Sequence, residues 1–143
     1  MQGKLIGILY FMVTLKGMLL GFYHLYLPIH WQWNKGLLET PEILQWTLMA
    51  LNDMWSALMI LLHGLLLFCF KKGYEKQCYQ LGYFLSVYWL IHALIISINP
   101  MPLPKSLGSL FLILLAIPYL QCLILFLGAS RKYRLFNFQL TTS

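Results

Sequence analysis

Residues 41–70 read PEILQWTLMALNDMWSALMILLHGLLLFCF, and this stretch decides the fold. Between Glu42 and Phe70 the one charged residue is Asp53, and a membrane-spanning α-helix needs about 20 predominantly apolar residues. The start is well marked, because Thr40 suits the N-cap and Pro41 the first helical position. We therefore predict a transmembrane helix over residues 41–70. At 1.5 Å per residue it would measure ~45 Å, so its first turns are expected to protrude or the helix to tilt.

Three other stretches have a similar apolar composition. Of the 143 residues 60% are hydrophobic and 10% are charged, whereas an average soluble domain is roughly a quarter charged. A water-soluble fold could not bury this much apolar surface, so we predict an all-α membrane protein, a bundle of four transmembrane helices. Pro28 is expected to end the first span and Pro118 to kink the fourth, because proline lacks the N–H that a helix interior uses. The three further spans are predicted over about residues 4–27, 78–98 and 107–127.

Lysine and arginine are distributed unevenly over the predicted loops. Cytoplasmic loops of membrane proteins carry an excess of these residues, so the formal charge of +6 is explained by orientation and does not indicate nucleic-acid binding. An even number of spans places both termini on the side with more cations, which predicts an N-in, C-in topology with a basic cytoplasmic tail over residues 131–143. The predicted cytoplasmic cations are Lys4, Lys71, Lys72, Lys76, Arg131, Lys132 and Arg134, against Lys35 and Lys105 outside.

Small residues recur at steps of three and four along two of the spans. Such stripes let helices approach closely in lipid, where association depends on packing. The predicted helix-packing face consists of Gly17 and Gly21 in the first span and Gly82 and Ser86 in the third. In the second span a polar stripe is expected to face the bundle, and it consists of Gln45, Asn52, Ser56 and His63.

Two charged residues lie deep inside predicted spans. Counted inward from the outer ends, Lys16 and Asp53 are at similar depth, about eleven residues in. A charge at the bilayer centre costs roughly 2.5 to 3.5 kcal/mol on insertion scales, so an intramembrane ion pair between them is one interpretation. A second is a proton- or cation-coupled transporter that uses Asp53, with Lys16 as counter-ion. A third leaves Lys16 without this contact, its ammonium reaching toward the interface.

A layer of polar side chains is predicted near the outer ends of the spans. Two histidines on different helices can ligate a haem iron axially, and three can bind zinc or copper. One hypothesis is therefore a haem-binding or quinone-linked electron-transfer protein, in which His24 and His92 hold haem b. The alternative is a polar packing cluster without a cofactor. The residues assigned to this layer are His24, His30, His92 and Tyr88.

A second polar layer is predicted near the cytoplasmic ends. It consists of Tyr10, His63 and Gln121. A hydrogen bond between His63 and Gln121 would tie the second and fourth spans together, and such intramembrane bonds are worth about 0.6 kcal/mol on average. We interpret this inner polar cluster as structural.

Catalytic sequence patterns are missing. No phosphate-cradling glycine loop, HExxH or GxSxG motif occurs, and four acidic residues leave little for carboxylate-pair catalysis. The sequence therefore disfavours a self-contained enzyme. It favours a non-catalytic accessory or scaffold component of a membrane complex, whose partners are the lipid bilayer and other membrane subunits or further copies of the chain.

In outline the chain resembles small four-span bacterial membrane proteins, including those grouped with the DoxX type. The features that carry the resemblance are Gly17, Gly21 and the run YHLYLPIHW at residues 23–31. The resemblance implies a bacterial cytoplasmic membrane protein with several spans. It identifies no functional residue and assigns no family.

Overall fold

The structure is a computed structural model that describes residues 2–30, 32, 40–98 and 108–142, and all regular structure within them is α-helical. The helices are α1 (Gln2–His30), α2 (Glu42–Lys72), α3 (Glu75–Ile98) and α4 (Gly108–Thr142). Three of them, α1, α2 and α3, are long and apolar enough to cross a membrane. The predicted helical bundle is therefore confirmed, while the number of spans and their orientation stay predictions.

The chain divides into two compact units. The first unit joins Met1–Val13 to Phe68–Ser143, and the second unit is Thr14–Leu67. Helices α1 and α2 contribute residues to both units, whereas α3 and α4 belong to the first. Buried apolar side chains of the first unit are Tyr10, Cys69, Cys78, Leu85, Trp89, Ala93, Leu125 and Ala129, and those of the second are Met59 and Leu66.

Large apolar side chains cover much of the exposed surface. Leu61 is 66% exposed and Ile98 is 75% exposed. Side chains of this kind are favourable against lipid and costly against water. The interior, by contrast, holds several polar side chains: Thr14, Ser56, His63, Ser86 and Gln121. This distribution is what a membrane-associated helical bundle requires.

The helix ends differ from the predicted spans. Helix α3 begins at Glu75 instead of residue 78, because the Cys78 N–H donates to the Tyr74 carbonyl at 2.9 Å and thereby includes polar residues in the helix. Helix α4 continues to Thr142, so the predicted tail at 131–143 is helical as far as it is described. The reason is that hydropathy indicates only the apolar part of a helix, whereas the helical backbone hydrogen bonds continue into the flanking polar residues.

The turn between α2 and α3 is set by Gly73. Its φ of 73° lies in the left-handed region, which glycine adopts without a steric penalty. The Gly73 N–H donates to the Phe70 carbonyl at 3.3 Å and the Tyr74 N–H to the Cys69 carbonyl at 3.0 Å. These bonds form a Schellman-type C-cap, which lets α3 begin directly after α2.

Candidate functional site

Helix α1 continues past Pro28, and a side chain on α2 bonds to the carbonyl that this proline leaves open. Proline at position 28 has no N–H to donate to the carbonyl of His24, four residues earlier, so that carbonyl is left without its helical partner. The Asn52 Nδ2 donates to it instead, at 3.0 Å. Neighbouring helices commonly satisfy backbone groups that proline frees in a membrane. The expected end of the helix at Pro28 is therefore corrected: α1 ends at His30.

The same asparagine orients the His24 ring. Because the Nδ2 of Asn52 is a donor to the backbone, its Oδ1 is the atom that faces His24 Nδ1, at 3.4 Å. An amide oxygen only accepts, so Nδ1 carries the hydrogen and Nε2 keeps its lone pair. The Trp55 ring lies against the imidazole with centroids 4.4 Å apart. His24 is thus a half-buried imidazole whose Nδ1 faces an acceptor oxygen.

Asp53 adjoins this site. Its Oδ1 lies 3.5 Å from the Asn52 Nδ2, and its side chain is exposed. Lys16, also exposed, lies eight residues before His24, which is about 12 Å along α1. The contact between His24 and Asn52 places Asp53 near the level of His24. The Lys16–Asp53 pair and the transport hypothesis both stay predictions.

The glycines predicted to pack in the first span lie against α2. A Cβ on Gly17 would fall on the imidazole of His63, and a Cβ on Gly21 would lie 2.9 Å from the Ser56 carbonyl oxygen. His63 is fully buried, and its Nδ1 donates to the Met59 carbonyl at 2.9 Å. The close approach of α1 to α2 in the second unit therefore depends on the missing side chains at these glycines.

Tyr10 occupies a slot in the first unit that the sequence did not reveal. A Cβ on Gly82 would lie 2.5 Å from its hydroxyl, and a Cβ on Gly128 would fall on its ring. The ring is buried, and the hydroxyl donates to the Cys78 carbonyl at 2.9 Å. The slot was missed because its second wall belongs to α4. The run of small residues at 128–130 was the available signal.

The other inner polar residues are also buried. Gln121 donates from Nε2 to the Val13 carbonyl at 3.3 Å within the first unit. Ser86, on the predicted packing face of α3, donates to the Tyr83 carbonyl at 2.8 Å. His63 and Gln121 belong to different units, and the hydrogen bond expected between them stays a prediction.

His92 and Tyr88 lie together on α3 in the first unit. Their rings are parallel within 9° with centroids 6.3 Å apart, and the Trp89 ring is perpendicular to His92 at 5.4 Å. His30, at the end of α1, contacts Tyr26 with centroids 5.5 Å apart. Since His24 and His92 lie in different units, their joint ligation of haem stays a prediction.

An ion pair in the first unit was not predicted. The Lys132 Nζ lies 2.9 Å from the Glu75 Oε1, and both side chains are largely buried. The same Nζ lies 4.9 Å from the centroid of the Phe70 ring. Glu75 and Lys132 are 57 residues apart in the sequence, so no local spacing pattern could predict that they pair.

No group of three His, Cys, Asp or Glu side chains within the described part of the chain is arranged to hold a metal ion. Haem ligation by two histidines is a different arrangement and stays open. Comparison of the chain with protein-family models finds no match, and neither do the comparisons with curated proteins and with solved structures. The functional argument therefore rests on geometry.

Proposed function

We propose that the chain is a non-catalytic subunit of a larger complex in a bacterial cytoplasmic membrane, with four spans and both termini inside. One observation carries this proposal: interior polar side chains donate to backbone carbonyl oxygens. Three of these bonds join different helices and hold them in register. Those of Ser56, His63 and Ser86 lie within a single helix.

Three hydrogen bonds illustrate the pattern. Tyr10 donates to the Cys78 carbonyl and Gln121 to the Val13 carbonyl, and Asn52 donates to the carbonyl that Pro28 leaves open. Each bond joins segments more than 25 residues apart in the sequence. The interior polar groups of this small protein thus serve helix packing. Contacts with other proteins would use its exposed surface, which supports a role in assembly.

The experiment is to extract the chain from its native membrane with a mild detergent, after brief chemical crosslinking in the membrane. We expect it to migrate in native electrophoresis with other membrane proteins, at a ratio that is constant between preparations. A chain that remains monomeric and free of partners in both crosslinked and untreated samples would contradict the proposed role.

The proposed topology has its own test. A cysteine placed at Lys35 should react with a membrane-impermeant maleimide from outside intact cells, and one at Lys72 should react only after lysis. The native thiols Cys69 and Cys78 are buried, and Cys122 is half-buried, which keeps the background low. Labelling at position 72 in intact cells would reverse the assigned orientation.

A second candidate function, haem binding, is favoured by the geometry of His24. The Asn52 Oδ1 faces His24 Nδ1 at 3.4 Å, and with Nδ1 as the donor Nε2 carries the lone pair that an iron requires, as in ligating histidines. The test is an absorption spectrum of the protein purified from haem-replete cells, with His24→Ala and the matched His30→Ala. We expect a Soret band that only His24→Ala abolishes. A wild-type spectrum without that band excludes haem.

A further inference from the structure

Positive charge is concentrated at the end of the first unit that carries the α2–α3 turn. The described cations there are Lys71, Lys72, Lys76, Arg131, Lys132 and Arg134. Only Lys132 forms an ion pair with a described residue, and that pair uses Glu75. Like charges repel, so binding of an anionic partner at such a group is electrostatically favourable.

Two contacts of Lys132 place these cations together. Its ammonium is bonded to Glu75 at the start of α3 and lies over the ring of Phe70 near the end of α2. Arg131 and Lys132 of α4 are therefore at the level of the turn that carries Lys71, Lys72 and Lys76. Three separate chain segments present their charge at one end of the unit.

Exposed aromatic rings border the same cations. The ring of Phe68 is 50% exposed and that of Tyr74 is 48% exposed, and their centroids are 6.3 Å apart in an edge-to-face arrangement. The Lys72 Nζ lies 5.9 Å from the Phe68 centroid. Tyr133, on α4, is 45% exposed. Aromatic rings beside cations are typical of the level where lipid headgroups meet acyl chains.

We propose that this end of the first unit binds the headgroup of an anionic phospholipid. The cations of the turn and of α4 contact the phosphate, and Phe68, Tyr74 and Tyr133 contact the upper part of the acyl chains. Basic surfaces beside membrane helices recognise acidic lipids in this way. The exposed rings favour a lipid over free phosphate, which has no apolar part. The inference does not depend on whether the chain has protein partners.

The test measures binding of phosphatidylglycerol to the full chain in phosphatidylcholine nanodiscs, read as lipid retained in native mass spectrometry and as a rise in the unfolding temperature. Lys76→Gln should weaken binding about fivefold, which corresponds to the electrostatic value of one basic residue near a membrane surface. The matched control Lys16→Gln removes the same charge from the middle of α1 and should leave binding unchanged. The triple Gln variant at positions 71, 72 and 76 should abolish the preference for phosphatidylglycerol.

Two further measurements keep the outcome decisive. If the Gln variants fold poorly, the wild-type preference should still decline between 0.1 and 1 M salt, because the Debye length falls from about 10 to 3 Å. The Lys→Arg triple variant should retain binding. Equal retention of phosphatidylglycerol and phosphatidylcholine by the wild type, or an equal loss with Lys16→Gln, would overturn the proposal. Full competition by glycerol phosphate without acyl chains would assign the site to free phosphate.

Discussion

The bond from Asn52 to the His24 carbonyl predicts a coupling between Asn52 and Pro28. In Asn52→Ala the carbonyl that proline leaves open loses its donor. A buried acceptor without a partner costs about 1 to 3 kcal/mol, whereas side-chain bonds in another membrane protein average about 0.6 kcal/mol. The bond is partly buried and 3.0 Å long, and the contact with His24 Nδ1 is lost as well. We therefore expect a loss of about 1 to 1.5 kcal/mol in the free energy of unfolding.

The Pro28→Ala background should remove most of this loss. An alanine at position 28 supplies an N–H that can donate to the His24 carbonyl within the helix. The Asn52→Ala substitution should then cost less than about 0.5 kcal/mol, which leaves a coupling of about 1 kcal/mol in the double-mutant cycle. The measurement is reversible unfolding in mixed micelles, followed by the helical circular dichroism signal.

Ser56→Ala is the matched control. The Ser56 hydroxyl donates to the Asn52 carbonyl within α2 at 2.6 Å, so its loss should cost the same whether residue 28 is proline or alanine. An Asn52→Ala cost that is equal in the two backgrounds would refute the role assigned to Pro28. A neutral Asn52→Ala in the wild type would refute the hydrogen bond itself.

Four glycine and tyrosine substitutions test the close helix approaches by the same unfolding assay. Gly17→Ala should cost about 1 to 3 kcal/mol because its methyl would fall on the His63 ring. Gly64→Ala is its control and should not destabilise, since the nearest atom lies at an ordinary 3.7 Å. Tyr10→Phe should cost about 1 kcal/mol for the lost hydrogen bond. Gly128→Ala should cost more, because the methyl would fall on the Tyr10 ring; a cost below that of Tyr10→Phe would contradict the slot.

The presence of helices at the four apolar stretches could be predicted, because long apolar runs have few alternatives. Some of their ends could be predicted as well, because α2 begins at Glu42 and α3 ends at Ile98, within a residue of the predicted bounds. Other ends could not. Helix α1 continues past Pro28, and the donor to the carbonyl freed by this proline is Asn52, 24 residues further along the chain. The start of α3 at Glu75 depends on a turn conformation that permits α3 to follow α2 at once.

Depth along the helices was the weakest inference. Counting inward from the predicted outer ends places Lys16 and Asp53 at one level, to within about a turn. The contact between His24 and Asn52 shows that the start of α2 reaches beyond the end of α1 in the second unit. The length of ~45 Å had already suggested protrusion. The length of a helix can be predicted from a single sequence, but its axial register against a neighbouring helix cannot.

For side-chain contacts, too, the sequence could predict which residues pack closely but not which atoms they contact. Gly17 and Gly21 could be assigned to a close approach from their spacing, and they do face α2 closely. The atoms they meet could not be named, because that requires the register. The pairing of Glu75 with Lys132 depends on how α3 and α4 pack, and nothing in either segment alone indicates it.

The division of the chain into units has a consequence for biosynthesis. The second unit ends at residue 67, so Gly17 and His63 can meet once this stretch has left the ribosome. The first unit joins residues 1–13 to α3 and α4, so the ring of Tyr10 has no Gly128 beside it until nearly the whole chain has been translated. The second unit can therefore pack early in synthesis. The buried site of Tyr10 is completed only after α4 has been made.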